Sequence, residues 1–487
     1  MTMDRKISIN ESVVSIRTAS LVQVGAKVIN IVVQLLITMV LARLLTPAEY
    51  GTVAVLTVFS TLFGILADAG ISTAIARSSD LGREDYERLF FLSLLIGFVL
   101  STAYFVLSMG IAWLYGDQVY VPLGTIMMLA VMFNSLNMVP NGILIKERKF
   151  MLIAFRLVVC TIVVGIITVL LALRGFGCYA IAFNTVMSAF FVFAWNLRSS
   201  RLRMSFGSVK EVYSKVGSFS MYALGNSVIA WIAANSDTLL VGKVFGSTAL
   251  GYYNKAYNLY SYPLNVLTTP ITDSLLPFLA ELQSDVSELR VRFLKVFRKV
   301  SFLSALSVAG MNVCAQEIII IMYGDAWAPA IPLLSILAFA VYSRGVNGAF
   351  SALLCAVGRA DLLMRCTMVN VVITLSMIFL GCRLGSVETL SICVAIASNI
   401  EMAMPIWYCS RICLEMRPLK FFEHFVPDLF SALLTCAVAL LIPWGIENVL
   451  FSAIAKASFV CIAMFGLKVL IYKFIYHEHV RSVKDIL

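Results

Sequence analysis

The sequence predicts an all-α, polytopic membrane protein of about 14 transmembrane helices, with two six-helix lobes related by an internal repeat and two extra carboxyl-terminal helices. Three observations predict this fold. The 487 residues are 60% hydrophobic and only 13% charged, with a mean hydropathy of +0.92, more apolar surface than a soluble fold could bury. Apolar windows of membrane-spanning length recur along the chain, and its two halves resemble each other.

The apolar windows are each about 20 residues long, the length a helix needs to cross the hydrocarbon core. Strands of a membrane barrel do not fit, because the runs are too long and lack alternation of period two. The fourteen spans are expected near residues 18–43, 51–76, 89–114, 121–145, 153–173, 176–197, 216–241, 252–278, 300–322, 330–356, 363–384, 388–410, 425–443 and 450–472.

A repeat of about 200 residues relates the first twelve spans. It aligns RLLTPAEYG, which begins at Arg43, with KVFGSTALG, which begins at Lys243. The triplet Tyr115-Gly116-Asp117 returns as Tyr323-Gly324-Asp325. Many transporters place their substrate site between two repeated halves, so the repeat predicts alternating access.

The repeat also sets the expected domain organisation. We expect an amino-terminal lobe over residues 1–205 with spans 1–6, and a carboxyl-terminal lobe over residues 206–415 with spans 7–12. Residues 416–487 are expected to form two additional spans and a cytoplasmic tail.

Lysine and arginine in the connections predict the orientation, because positively charged loops are retained on the cytoplasmic side. With the amino terminus inside, 28 of the 37 basic residues lie in cytoplasmic loops, and four lie on the opposite side: Arg43, Arg174, Lys243 and Arg383. Both termini are therefore expected in the cytoplasm. The formal charge of +10 reflects these membrane-bordering residues, and no nucleic-acid partner is expected.

Motifs of catalysis and of nucleotide binding are missing from the sequence. It contains no Walker A loop, GxSxG or HExxH motif, so neither an ATP-driven pump nor an enzyme is expected. The tail sequence HEH, His477 to His479, offers two ligands and makes a poor metal cage. We expect no cofactor, and no metal beyond a coupling ion.

The longest predicted cytoplasmic connection, residues 281–299, has apolar residues at helical spacing and basic residues late in the stretch. This pattern favours an interfacial helix resting on anionic lipid. A helix that docks a partner is the alternative.

Charged residues inside the spans carry the functional prediction. A charge at the centre of a span costs roughly 2.5 to 3.5 kcal/mol on insertion scales, so it normally faces a cavity or a partner. Five basic residues qualify: Lys27, Lys255, Arg344, Lys456 and Lys468. The last two lie near the ends of the fourteenth span, where long side chains can reach the interface, and they are set aside.

The first span has one polar face, because its polar residues recur at steps of three and four. They are Gln23, Lys27, Asn30, Gln34 and Thr38. Lys27 and Asp68 lie equally far from the turn between spans 1 and 2. Lys27 is therefore expected either to pair with Asp68 or to face a cavity and attract an anion.

The second copy of the repeat has a similar arrangement. Asp237 and Lys255 are equidistant from the turn near Gly246 and could pair. In the eighth span, Asn258 shares a face with other amides and Tyr262 flanks that face, a composition that suits a ligand with many hydroxyl groups. An interfacial tyrosine belt is the alternative.

Arg344 is the strongest single candidate. It lies midway along the tenth span in YSRGVNG, with no acidic residue at a matching position in a neighbouring hairpin arm. Its guanidinium stays charged and offers five donors in a fork that fits phosphate oxygens. The alternative is a structural role, capping backbone carbonyls beside Gly345.

Several stretches resemble the polysaccharide transporter family, the Wzx-type oligosaccharide flippases, and in particular its lipopolysaccharide and colanic acid exporters. They are ARLLTPAEYG, a span ending LADAGIST, YGDAW at Tyr323, GYYNKAYNL and LLPFLAELQSD, within a resemblance that covers about residues 10–420. The resemblance implies two six-helix lobes around a central cavity, as in the multidrug/oligosaccharidyl-lipid/polysaccharide exporters. It also implies a substrate, an undecaprenyl-diphosphate-linked sugar repeat unit moved from the cytoplasmic to the periplasmic leaflet.

This implied substrate assigns roles to the polar residues. Arg344, Lys27 and Lys255 are expected to contact the diphosphate. The sugars are expected to contact amides and a tyrosine: Asn30, Gln34, Asn137, Asn258 and Tyr262.

An ion gradient is the expected energy source, because no nucleotide site is visible. Related lipid II flippases are thought to hold a sodium ion in the second lobe, and Asp237, Asn370 and Thr374 resemble parts of such a site. The eleventh span lacks the second acid of that site. The coupling ion is expected to be Na⁺ or H⁺.

The resemblance places the protein in the bacterial inner membrane. Its expected partners are a lipid-linked oligosaccharide, membrane lipids, and a complex of polysaccharide polymerase and glycosyltransferases. The alternatives are a cation-coupled multidrug exporter of the same superfamily and a non-transporting scaffold for glycan assembly.

Overall fold

Every regular element in the described part of the chain is helical. A computed structural model describes residues 25–68, 71–72, 75, 81–203, 205, 210–283 and 285–474. The chain divides into two compact units, Met1–Asn235 and Ser236–Leu487. Gln23 and the HEH tail motif lie outside the described residues.

The amino-terminal unit contains six helices of membrane-spanning length within its described residues. They are α1 (Gly25–Leu44), α2 (Pro47–Asp68), α3 (Arg83–Tyr115), α4 (Tyr120–Lys146), α5 (Phe150–Leu173) and α6 (Cys178–Ser200). Small residues let these helices approach closely, as membrane helices require. A side chain at Gly124 of α4 would overlap Ser108 of α3.

The turn between α1 and α2 is stabilised by side chains. The backbone N–H and hydroxyl of Thr46 donate to the Glu49 carboxylate at 2.7 and 2.9 Å, a reciprocal cap at the start of α2. The corresponding position in the repeat is Gly246. There the long helix Lys210–Pro263 breaks, with φ 88° and ψ 172° at the glycine, into α7 (210–245) and α8 (247–280). The two copies therefore turn at the same position of the repeat. In the first copy side-chain hydrogen bonds stabilise the turn, and in the second a glycine with positive φ forms it.

The carboxyl-terminal unit continues with α8, which runs through a π-helical turn, Leu264–Thr268, into Thr269–Ala280. The remaining helices are α9 (Val286–Val313, bent by 71° into Ala315–Tyr323), α10 (Ala330–Ala356), α11 (Ala360–Arg383), α12 (Val387–Cys413), α13 (Val426–Leu441) and α14 (Val449–Phe474). Gly116 and Gly324 end α3 and α9 at equivalent places in the repeat, both with positive φ.

The predicted fold class is confirmed. Eleven helices among the described residues are long and apolar enough to cross a membrane. The break at Gly246 divides one of them into two predicted spans, the bent pair of α9 supplies the ninth, and the shorter α13 supplies the thirteenth. Each of the fourteen predicted spans therefore coincides with a helix.

The prediction of a separate interfacial helix at residues 281–299 is wrong. Asp285 caps a helix that begins at Val286 and continues to Val313, so the connection is the first part of α9. Its apolar face packs on protein rather than lipid. The Phe297 ring lies 5.3 Å from the Phe350 ring and 4.9 Å from the Phe421 ring. Aromatic pairs at this distance add to the energy of apolar burial.

Candidate functional site

Arg344 is the centre of a polar and aromatic cluster in the carboxyl-terminal unit. Its helix, α10, is held close to α9 because the neighbouring Gly345 leaves room for Ser304. The Arg344 side chain is exposed. Its Nη1 donates a hydrogen bond to the Tyr257 hydroxyl at 2.9 Å, and its guanidinium lies 5.4 Å from the ring centres of both Tyr257 and Tyr260. Stacking on two rings fixes the guanidinium by cation–π attraction.

Asp237 lies behind this tyrosine layer. Its carboxylate accepts hydrogen bonds at 2.7 Å from the Tyr253 hydroxyl and from the Thr238 backbone N–H. The Tyr253 and Tyr257 rings are 5.9 Å apart, so the tyrosines separate the acid from Arg344. The two charges interact across the layer without contact. Within the described residues Arg344 forms no ion pair, and most of its donors are left for an anion.

A second carboxylate, that of Glu401 on α12, also acts on the cluster. Thr374 of α11 donates a hydrogen bond to Glu401, whose charge also interacts with that of Arg344. One turn earlier on α11, the buried Oδ1 of Asn370 accepts no hydrogen bond from any described residue. Glu401 was not among the residues predicted from the sequence. It places a carboxylate beside Thr374, and a search for acidic as well as basic residues inside spans would have found it.

The predicted pairing of Asp237 with Lys255 does not form. Asp237 is engaged by Tyr253 and Thr238, whereas the ammonium of Lys255 lies 5.3 Å from the Tyr323 ring centre and 6.0 Å from that of Trp327. Equal distance from a turn predicts equal depth but not the same helix face. Two residues apart on α8, Tyr253 and Lys255 point about 200° from one another. Lys255 is 4% exposed and is not brought to Arg344.

The other two α8 candidates lie close to the cluster in sequence. Asn258 is exposed and its Nδ2 donates to the Asn254 Oδ1 at 2.9 Å. Tyr262 is half-buried. Both lie within two turns of Tyr257 on the same helix.

In the amino-terminal unit, the predicted pair of Lys27 and Asp68 does not form either. Asp68 accepts hydrogen bonds from the backbone N–H and the hydroxyl of Ser72. Lys27 is exposed and makes no ion pair with any described residue. Gln34, two turns further along the same helix face, is exposed. Asn30 is half-buried, and its Oδ1 accepts a hydrogen bond from the Thr161 hydroxyl at 2.6 Å.

Asn137 belongs to a polar cluster that joins α4, α5 and α6. Its Oδ1 accepts from Asn196 Nδ2 at 2.8 Å, and the guanidinium of Arg156 donates to the Asn196 Oδ1. Arg156 is one of the 28 basic residues predicted to lie in cytoplasmic loops, and for this residue the prediction is wrong. It lies inside α5 and is 8% exposed, where the amide of Asn196 on α6 accepts its hydrogen bond.

The expectation that Lys456 and Lys468 reach the interface is also wrong. Lys468 lies 2.5 Å from Asp428, with both side chains 3% exposed, and Lys456 lies 2.6 Å from Glu317. The partners come from α13 and α9. These contacts between distant segments cannot be derived from hydropathy.

Comparison with known proteins agrees with the fold. A model of the family described as "Polysaccharide biosynthesis protein" matches residues 40–332. The chain is 26% identical over 342 residues to the lipopolysaccharide biosynthesis protein WzxC of Escherichia coli (strain K12), which covers 66% of each chain. It is 24% identical to the succinoglycan biosynthesis transport protein ExoT of Rhizobium meliloti (strain 1021), over 76% of this chain and 75% of ExoT.

Among solved structures, the lipid II flippase MurJ in an inward closed conformation has the same fold. It superimposes with a TM-score of 0.74 over 94% of this chain and 99% of MurJ, at 13% sequence identity. At that identity the likeness shows the fold alone. The resemblance predicted from the sequence motifs is confirmed: the chain belongs to the polysaccharide biosynthesis protein family and is a multi-pass membrane transporter rather than an enzyme.

Proposed function

We propose that this protein is a flippase that moves undecaprenyl-diphosphate-linked oligosaccharide repeat units from the cytoplasmic to the periplasmic leaflet of the bacterial inner membrane, by alternating access. One observation carries the proposal. Arg344 lies in the middle of a membrane-spanning helix, is fixed by two tyrosines, and forms no ion pair with any described residue.

The energetics favour an anionic ligand at Arg344. A charge within a span costs roughly 2.5 to 3.5 kcal/mol. One contact with a unit anion at 4 Å contributes about 4 kcal/mol at an effective dielectric near 20, before desolvation. Binding of a diphosphate therefore offsets the insertion cost, and the guanidinium fork suits its oxygens. We assign Arg344 and the exposed Lys27 to the diphosphate.

The sugars would contact the polar surface of α8 and α1. The half-buried Tyr257 and Tyr262 present aromatic faces, and the exposed amides of Asn258 and Gln34 present donors and acceptors. Lys255, Asn30 and Asn137 are engaged in contacts within their own units. We therefore assign these three to holding the helices rather than to the substrate.

We further propose that an ion gradient drives the cycle through the Glu401 region. The oxygens of Glu401, Thr374 and Asn370 suit a sodium ion, and the Glu401 carboxylate alone suits a proton. Either ion would neutralise Glu401 and change the field at Arg344, since the two charges interact. The charge of Asp237 also interacts with that of Arg344, across the tyrosine layer.

The test replaces both proposed diphosphate contacts, as Lys27→Ala/Arg344→Ala, in cells that depend on this chain for polymer. We expect lipid-linked repeat units to accumulate on the cytoplasmic side and polymer output to fall, with protein levels unchanged. The double variant Arg174→Ala/Arg383→Ala, which removes the same charge at helix ends, serves as the control. Normal polymer output from the first variant would contradict transport through this site and favour a scaffold. Altered drug resistance alone would favour a multidrug exporter.

A further inference from the structure

A cavity of about 800 Å³ opens in the amino-terminal unit, far in sequence from the Arg344 cluster. It lies where the beginning of α3, the beginning of α5 and the end of α6 meet. Arg201 closes α6 in a left-handed conformation with φ 50°, and its backbone carbonyl accepts a hydrogen bond from Arg83 Nη2 at 2.9 Å. The cavity wall is thereby held by contacts between separate helices.

The lining of this cavity is strongly basic. Four cationic side chains, Arg83, Lys149, Arg198 and Arg201, face a single carboxylate, Glu147. Lys149 already neutralises Glu147 at 2.6 Å. The side chains of Arg198 and Arg201 pair with no carboxylate in the described part of the chain. Two guanidinium groups are therefore available to a ligand in one cavity.

A fifth cation lies deeper along the same helices. Arg156 is one turn beyond the lining residue Leu152 on α5, is buried, and bonds only to the neutral amide of Asn196. No carboxylate among the described residues compensates its charge. A buried cation without a counterion raises the positive potential nearby, because a low dielectric screens it weakly.

The inner wall of the cavity is apolar. Phe191, Trp195 and Leu152 line it, and Phe155 packs against Trp195 with ring centres 6.0 Å apart. Phe155 and the neighbouring Met151 are 60% and 62% exposed. A free anion would use the arginines alone, whereas an amphiphile would use both surfaces.

We propose that this cavity binds the phosphate headgroup of an anionic phospholipid, with its acyl chains along Phe155 and Trp195. The basic residues border the side that the charge distribution predicts to be cytoplasmic, where anionic lipids attract such clusters. Arginine forks bind phosphate oxygens through paired hydrogen bonds. The site is separate from the proposed substrate contacts, so it stands whether or not the transported lipid is the one proposed above.

Quenching of Trp195 fluorescence tests the site in the full-length protein in lipid nanodiscs. The Trp195→Phe variant is subtracted to isolate this tryptophan from the other five. Brominated phosphatidylglycerol in a phosphatidylcholine background should reach half-quenching at a mole fraction about tenfold lower than brominated phosphatidylcholine does, since charged hydrogen bonds contribute about 1.5 to 3 kcal/mol. Arg198→Ala/Arg201→Ala should remove that difference.

Two comparisons keep the result specific. Arg365→Ala/Arg417→Ala removes two exposed arginines of the other unit and should leave the preference intact. Arg198→Lys/Arg201→Lys, which keeps the charge, should retain part of it even if the alanine variant folds poorly. Equal quenching by the two brominated lipids would overturn the proposal. Loss of quenching when inorganic phosphate is added would also overturn it, by assigning the cavity to a free anion.

Discussion

The ammonium of Lys468 lies 2.5 Å from the carboxylate of Asp428, and both side chains are buried between helices. Ser301 of α9 donates to the other carboxylate oxygen at 2.7 Å. The same hydroxyl lies 2.9 Å from that of Tyr342 on α10. A buried ion pair thus joins the two extra helices α13 and α14, and its hydrogen bonds connect them to α9 and α10 of the same unit.

Breaking this pair should destabilise the protein far more than replacing it. We expect Lys468→Met to cost about 3 to 5 kcal/mol, because Asp428 is left buried and unpaired, and Lys468→Met/Asp428→Leu to recover most of that loss. Unfolding in a detergent titration measures both. Lys149→Met, at an exposed pair, should cost under about 1 kcal/mol. Equal losses from the single and double variants at 468 and 428 would contradict a coupled pair.

Gly246 should be required for the turn between α7 and α8. Its φ of 88° with ψ of 172° is a conformation that only glycine adopts readily, so Gly246→Ala should cost about 1 to 3 kcal/mol. No atom lies within 4 Å of an added Cβ at either Gly246 or Gly310, so the backbone alone distinguishes them. Gly310→Ala, inside α9, should be neutral or stabilising. Equal melting temperatures for the two variants would argue against strain at the turn.

His424 should make stability depend on pH. Burial and the neighbouring Arg298 lower the pKa of His424 from 6.5 to about 4, and its Nδ1 accepts a hydrogen bond from Arg298 Nε at 3.2 Å. Between those values the unfolded chain binds a proton that the folded chain does not, so stability falls as pH falls from 6.5 towards 4. His424→Gln keeps an acceptor without titrating there. Its melting temperature should vary less over this window, and an unchanged pH slope would exclude His424 as the cause.

The helices could be predicted from the sequence because hydropathy is a local property. Partners could not. The pattern in 281–299 marked an apolar helix face, but it could not show that Phe297 packs on Phe350 and Phe421 instead of lipid. These contacts join positions 53 and 124 residues apart, and hydropathy does not show which distant positions meet.

The same limit applies to the candidate site: one of its residues could be identified from the sequence, but the contacts of that residue could not. Arg344 could be identified because a charge within a span is costly wherever its partners lie. Its tyrosine partners on α8, and the attachment of Glu401 to Thr374, depend on how helices are rotated about their axes. The distance from a turn predicts the depth of a residue along its span, so Asp237 and Lys255 were expected at the same depth. It does not predict the helix face, so their pairing was not correctly predicted.

Tyr257 should tune the affinity of Arg344 through its hydroxyl. Tyr257→Phe removes the hydrogen bond to Arg344 but keeps the ring, and the net loss of such a bond, about 0.5 to 1.5 kcal/mol, predicts a two- to tenfold slower flipping rate in proteoliposomes. Tyr260→Phe is the matched control, because the Tyr260 hydroxyl has no hydrogen-bond partner among the described residues. An equal or larger effect of Tyr260→Phe would contradict this role of the Tyr257 hydroxyl.

Binding of undecaprenyl diphosphate to purified protein tests the role of Arg344 most directly. Charged hydrogen bonds contribute about 1.5 to 3 kcal/mol each, so Arg344→Ala should weaken binding about 10- to 100-fold. Arg344→Lys should fall between wild type and alanine, because a point charge lacks the guanidinium fork. Arg344→Glu should bind more weakly still, because it repels the diphosphate. Equal affinities for the alanine and glutamate variants would contradict an anion site at Arg344 and leave it a packing residue.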